Sequence, residues 1–350
     1  MEIAVDTVAQ LSPAPLPGVR ADLKAAWRVA RLFLRLQKSH PLWLRCQTRA
    51  NRALAVEWFA LIGVTYVLVF APLPWALKIV LLVPWSLYSS LAIDVAIHYF
   101  NHWPLFRREG WNAFARALGV LVFVNPMEIR YHHWQHHRYN DPFDDPQTAL
   151  REIATREGFR GWLALAGYLA RETARSLKGI LPWTAQEPYI RSLARTRPAH
   201  YREIVAVRWA IFGWLLVVLA VRPTQGALLA TATLLLAPLA SFVMNLTDHA
   251  PSDLAHPFRQ ATYLEPGSRR ERFLSVVNHY TAATHLTHHL FPQVHWCHIR
   301  RLQRRMLRLY ASYGAPRSLV VNSTLLGNPV GLLRVLAALK RRETLAGWSS

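Results

Sequence analysis

Cysteine is scarce in this chain: Cys46 and Cys297 are the only two in 350 residues. Two sulfurs make neither a disulfide framework nor a four-sulfur metal site, so a reducing compartment is unopposed and cysteine is not expected to carry the chemistry. No CxxC pair, glycine-rich dinucleotide fingerprint or HPGG haem-domain motif occurs either, which excludes built-in modules of those kinds. Acidic residues are few, 20 against 41 Lys and Arg, for a formal net charge of +21. Basic residues scattered around apolar tracts reflect the positive bias of cytoplasmic loops and attraction to anionic lipid, so membrane lipid rather than nucleic acid is the expected partner. A signal-peptide layout is also missing. Glu2 and Asp6 precede any basic group and no apolar stretch with a small-residue cleavage site follows, so the first membrane span is expected to act as its own targeting signal.

Charge itself is missing from two long tracts. Across residues 58–97 only Lys78 and Asp94 are charged, and across 223–247 nothing is. The tract 54–97 exceeds the ~20 residues of one bilayer crossing. "APLPW" at 71–75 interrupts it, which predicts two spans in a hairpin. A second hairpin is expected from 209–221, a break at "RPTQG" and 227–246. Its short first limb requires Arg208 and Arg222 to snorkel at its ends. With both termini inside, Lys78 and Arg222 are the only basic residues left near the outer side.

Residues 1–17 are rich in proline and expected to be loose. "ADLKAAWRVARLFLRLQK" then mixes basic and apolar residues at helical spacing, as an interfacial helix does. Segments 111–126 and 159–181 are apolar but charged and short, and are expected as interfacial or buried helices of a cap. The sum is an all-α integral membrane protein with four transmembrane helices in two hairpins and a cytoplasmic helical cap holding a histidine-rich di-metal site. It divides into an N-terminal cytoplasmic or interfacial segment (1–53), a membrane and cap domain (54–309) and a C-terminal cytoplasmic tail (310–350). The Arg-rich, Lys-poor composition suggests a bacterial inner membrane.

Sixteen histidines are present, and most fall into clusters. "HYFNH" places His98 and His102 one helical turn apart just beyond the second span. "HHWQHH" carries His133, His136 and His137 at i, i+3, i+4, with His132 as a competitor for the leading place. "THLTHHLFPQVHW" repeats that spacing with His285, His288 and His289, and "NLTDH" sets Asn245 and His249 at i, i+4 after the fourth span. Residues three and four apart share a helix face, so each cluster can present its side chains to one point. All four clusters belong to the cytoplasmic ends of spans or to the cap. Nine imidazoles exceed the needs of one ion, so two metals is the economical reading. Imidazole suits iron, zinc and copper, and the lack of a cysteine cluster argues against an iron–sulfur centre. His40, His200 and His256 are expected to be ordinary surface or core residues.

In order and spacing these elements resemble the three histidine boxes of the membrane fatty acid desaturase superfamily. "HYFNH" matches the first box, "HWQHH" the second and "HLTHHLFP" the third. "NLTDH" resembles the element that supplies one further histidine and an asparagine reaching the metal through water. The resemblance runs from about residue 75 to 309. It implies a di-iron centre held by His98, His102, His133, His136, His137, His249, His285, His288 and His289, with Asn245 acting through water. His279 and His295 are additional imidazoles, with a proton-transfer or supporting role or plain solvation as alternatives.

A metal-bound imidazole usually gives its other N–H to a carboxylate or carbonyl. Asp94, four residues before His98, is the candidate partner of that ring. Asp248 adjoins His249, and Asp141, Asp144 and Asp145 follow the second box, where their Asp-Pro pairs also suit turns. An alkyl C–H bond offers no acidic proton and no electrophilic carbonyl, so its oxidation calls for activated O2. The expected substrate is a fatty acyl chain on lipid, on an acyl carrier or as the free acid. The expected reaction is desaturation, with hydroxylation, carotenoid oxygenation or decarboxylation to a terminal alkene as alternatives on the same scaffold. Electrons are expected from a separate ferredoxin-like or b-type-cytochrome-like protein with its reductase. Arg300, Arg301, Arg304 and Arg305 are candidates to receive that donor or an acidic carrier, or else lipid phosphates. A metal transporter would place ligands along its spans or in flexible loops, and the histidine-free tract 227–244 speaks against one.

Overall fold

Proline sets half of the α-helix starts among the described residues. In the computed structural model, Pro41, Pro126, Pro188, Pro198 and Pro223 each stand first in a helix, where a missing N–H costs no hydrogen bond and φ is already helical. The structure describes residues 18–139, 188–236, 256–264 and 281–315, with scattered positions in 163–183 and at 269 and 272. Within the first and last of these stretches, the side chains of residues 87, 90–95, 132, 134–136, 138, 139, 281 and 282 are outside the description. The helices are α1 (Val19–Ser39), α2 (Pro41–Phe70), α3 (Trp75–His102), α4 (Glu109–Ala117), α5 (Pro126–Tyr139), α6 (Pro188–Thr196), α7 (Pro198–Val221), α8 (Pro223–Ala230), α9 (Thr281–Leu290) and α10 (Trp296–Ser312). A 3₁₀ turn (Leu118–Val122) follows α4 and a π-helical turn (Thr231–Leu236) follows α8.

The chain divides into two compact units. One comprises 53–134 and 165–242, the other 1–52, 135–164 and 243–350. The first unit holds the apolar hairpins. α2 and α7 are long and apolar enough to cross a membrane, while Trp75–Ser86 and Pro223–Leu236 are shorter apolar stretches. The expected hairpin break is present: α2 stops at Phe70 and α3 starts at Trp75. Lys78 folds back over it, its Nζ donating to the Val69 carbonyl at 2.8 Å, one of the carbonyls that a helix end leaves unpaired. Val69 and Leu82 pack with Ile211 and Leu229 in one core. Val56, Val67, Ile79, Val80, Leu216, Val217 and Val221 remain exposed, as apolar side chains facing lipid would.

The second hairpin departs from expectation in two ways. Its break is Arg222 alone, because Pro223 to Gly226 already form the first turn of α8. Gly226 permits the close return, since a Cβ there would lie 3.0 Å from the backbone nitrogen of Leu219. Arg208 does not snorkel. It is buried on α7 and makes a two-pronged ion pair with Glu128 of α5, which answers the desolvation of a guanidinium within a helix bundle.

In the other unit, α1 packs against α10. Val19, Ala26, Ala30 and Phe33 share a core with Phe258, Phe291, Leu302 and Met306. The helix expected at an interface is therefore present, but protein covers its apolar stripe. Residues 111–126 give α4 and the 3₁₀ turn, with Trp111 and Phe114 exposed and Ala115 buried. Segments 1–17 and 237–250, and most of 159–181, are outside the described residues.

Candidate metal centre

In the unit holding the hairpins, His98 and His102 occupy the last turns of α3, and His133 lies in α5. Asn112 closes the loop after α3, accepting the Phe106 N–H and donating to the Phe106 carbonyl, both at 2.9 Å. α5 is started by Asn125, whose Oδ1 accepts the Glu128 N–H at 3.2 Å while its Nδ2 donates to the Ile204 carbonyl at 3.1 Å. An Asn cap with Pro next and Glu three residues on is a strong helix start. The pair of Glu128 with Arg208 ties that start to α7. These contacts bring His102 Nε2 to 2.7 Å from His133 Nε2, and the His98 and His133 rings to a centroid separation of 4.1 Å. One nitrogen from each of His98, His102 and His133 lies within 4.8 Å of the others.

In the other unit, His137 Nε2 is 3.0 Å from His288 Nε2, His285 Nε2 is 3.1 Å from His289 Nε2, and the His137 and His289 rings are 4.7 Å apart. α9 is held from below. Buried Thr287 bonds to Gln303 Oε1 at 3.0 Å and to the Tyr310 hydroxyl at 2.9 Å, and Gln303 Nε2 donates to the Leu264 carbonyl at 3.0 Å. The Leu-Phe-Pro turn explains the apolar neighbour of the third box. Phe291 is fully buried and meets Trp27 edge to face at 5.2 Å, anchoring the end of α9. His133 and His137 stand four residues apart on α5 and therefore share a helix face.

The electrostatics suit metal ligation. Enclosure by protein, then the positive charge of Arg130, hold the His102 pKa far below the ordinary imidazole range, at about 3. Enclosure and His102 likewise lower that of His98. Neutral imidazole is the ligand form, so a cation meets little competition from protons at these rings.

Seven of the nine expected ligands are thus described and fall into the two groups. The His136 side chain, His249 and Asn245 lie outside the described residues, as do the side chains of Asp94 and His132, and Asp141, Asp144, Asp145, Asp248 and His279. His295 is described and serves elsewhere. Its Nδ1 accepts the Cys297 N–H at 3.3 Å, capping α10, and its Nε2 meets Asn51 Oδ1 at 3.0 Å. Composition alone set cysteine aside, yet Cys46, Cys297 and His298 offer donor atoms within 4.8 Å of one another. The adjacency of Cys297 and His298 was the available signal, but the arrival of Cys46 from 251 positions away was not.

The regular elements among the described residues are helices, two of them long and apolar enough to cross a membrane, and they carry imidazole clusters with nitrogens close enough to share a metal. This defines a histidine-rich helical protein whose imidazole clusters are compatible with metal binding. The family model described as fatty acid desaturase matches residues 72–320, and the chain belongs to that family. The family is one of oxidoreductases of the desaturase and hydroxylase type. No curated protein and no solved structure matches the chain.

Proposed function

We propose that the protein is an O2-dependent, membrane-bound di-iron oxidoreductase that desaturates a fatty acyl chain. The observation that carries this reading is the set of three imidazole nitrogen pairs at 2.7, 3.0 and 3.1 Å. Two ligand nitrogens at right angles on one ion, with bonds of ~2.1 Å, lie about 3 Å apart. Each pair therefore already has the spacing of neighbouring ligands.

In this reading the two histidine groups act together. His98, His102, His133, His136, His137, His249, His285, His288 and His289 hold two irons, Asn245 reaches one through water, and Asp94 orients His98. When bound, the irons supply with O2 and two reducing equivalents the oxidising power for hydrogen-atom removal from a methylene chain, which no side chain provides. Two hydrogens leave adjacent carbons, and with two added electrons and protons O2 leaves as water. The chain's own task is placement: Thr287, Gln303 and Tyr310 fix α9, Asn125, Glu128 and Arg208 fix α5, and the apolar hairpins admit a lipid chain. The site faces the cytoplasm of a bacterial inner membrane, at the ends of four spans. Electrons come from a separate ferredoxin-like or b-type-cytochrome-like donor.

The test compares cells expressing the protein with cells expressing a His102→Ala/His137→Ala/His288→Ala variant, both fed deuterated fatty acids, by mass spectrometry of membrane lipids and headspace. New internal double bonds that need O2 and are absent from the variant are expected. A hydroxylated acid, an altered carotenoid or a volatile terminal alkene would reassign the reaction on the same scaffold. No product, together with a single loosely held metal, would remove the enzyme reading.

A further inference from the structure

The only two cysteines of the chain come together, although 251 positions separate them. Cys46 lies in the first turns of α2, and Cys297 and His298 open α10, all three within one compact unit. His298 is fully buried; the Trp43 backbone is a weak partner of its ring, and neither ring nitrogen makes a well-formed hydrogen bond among the described residues. So poorly partnered a buried imidazole is costly, which points to a missing occupant. Its ring plane is fixed by stacking on Trp43, with centroids 4.2 Å apart and 23° between planes, so only its edges can serve a ligand. Trp43 and Cys46 lie three residues apart on α2 and therefore share its face.

We propose that Cys46, Cys297 and His298 form a second metal site, separate from the histidine boxes, that takes a thiophilic divalent cation, Zn2+. Tetrahedral Zn2+, with bonds of ~2.3 Å to sulfur and ~2.0 Å to nitrogen, needs donors about 3.5–3.8 Å apart. Donors within 4.8 Å of one another reach that by side-chain shifts of about 1 Å. Thiolates select Zn2+ over the oxygen-seeking cations. Binding releases one proton from each thiol, so the two thiolates neutralise the ion, and water completes the fourth position. One neighbour supports the arrangement. His295 Nδ1 stands 3.2 Å from Cys297 Sγ and accepts the Cys297 N–H, with Nε2–H directed to Asn51 Oδ1, which fixes the backbone at the start of α10. The site ties the start of α2 to the start of α10, seven residues after the last histidine of the third box, and its role is structural.

Co2+ provides the test, because thiolate ligation gives a near-ultraviolet charge-transfer band that imidazole ligation does not. Purified full-length protein, reduced and freed of reductant, is titrated with CoCl2. A thiolate band is expected in the wild type and in His288→Ala, lost in Cys46→Ser and Cys297→Ser, shifted in His298→Gln and bleached by ZnCl2. Retention of the band in His288→Ala separates this site from the boxes. Zn2+ added to the unmutated protein should slow alkylation of both cysteines roughly tenfold or more, which gives the answer even if a variant fails to fold. Absence of the band, its survival in Cys297→Ser, unprotected thiols, or closure of the pair to a disulfide in preference to holding metal would each overturn the proposal.

Discussion

His288 and His137 face each other through their Nε2 atoms at 3.0 Å, and truncating either leaves its partner aimed at a gap. Because His288 makes this contact from α9, whose hold on α10 runs through Thr287, His288→Ala should spare the helix. With the proposed di-iron centre, we expect the variant to reach the membrane in normal amount, to lose half or more of the bound metal, and to lose activity by about 100-fold or more, beyond the 10–100-fold typical of merely supporting residues. Iron analysis of purified protein beside product formation decides it, and unchanged iron with full activity would remove the third box from the site. His200 is the control at the same scale. Its ring lies against Tyr131 at 5.2 Å with Glu203 4.0 Å away, an ordinary half-buried surface setting. His200→Ala should keep iron and activity within about twofold, as surface substitutions do.

α5 depends on a contact that spans 80 residues of sequence. Arg208 is buried and reaches Glu128 in the first turn of the helix that carries the second box. Removing one member of a buried ion pair costs about 3–5 kcal/mol, whereas replacing both by apolar or neutral groups is often close to neutral. Arg208→Ala should therefore lower the unfolding temperature in detergent and weaken metal binding at the proposed centre. Arg208→Met combined with Glu128→Gln should recover most of the stability. Equal loss in the single and double variants would show that the charges do not act as a pair. The same helix shows what the sequence made legible. Local signals were readable: the prolines that break the first hairpin, the i, i+3, i+4 imidazoles on α5 and α9, and the amphipathic pattern of α1. Partners were not, because nothing near Arg208 in the chain announces Glu128. For the same reason α1 was expected on a bilayer surface although α10 covers its apolar face, and Cys46 gave no sign of Cys297. Burial is decided by elements distant in sequence, and a local pattern reports only that a face needs cover.

A net charge of +21 gives the whole molecule a field that favours acidic partners. α10 concentrates part of it: Arg301, Arg304, Arg305 and Arg308 are exposed on one helix, while Leu302, Met306 and Tyr310 hold its other face in the core. Charge reversal at two exposed positions leaves that packing untouched, so Arg304→Glu/Arg305→Glu should fold and keep its iron. If this face receives an acidic electron donor, association loses its long-range attraction. Rim charges act mainly on the rate of encounter and on its salt dependence. With a plant-type ferredoxin and its reductase as donor, we expect the donor concentration for half-maximal turnover to rise roughly 10-fold at low salt. The difference from the wild type should shrink as ionic strength rises and the screening length falls below about 10 Å, with turnover at saturating donor unchanged. Unaltered donor dependence combined with weaker binding to anionic vesicles would assign these arginines to lipid phosphates instead, because the same guanidinium chemistry serves both and only the kinetics of electron delivery separates them.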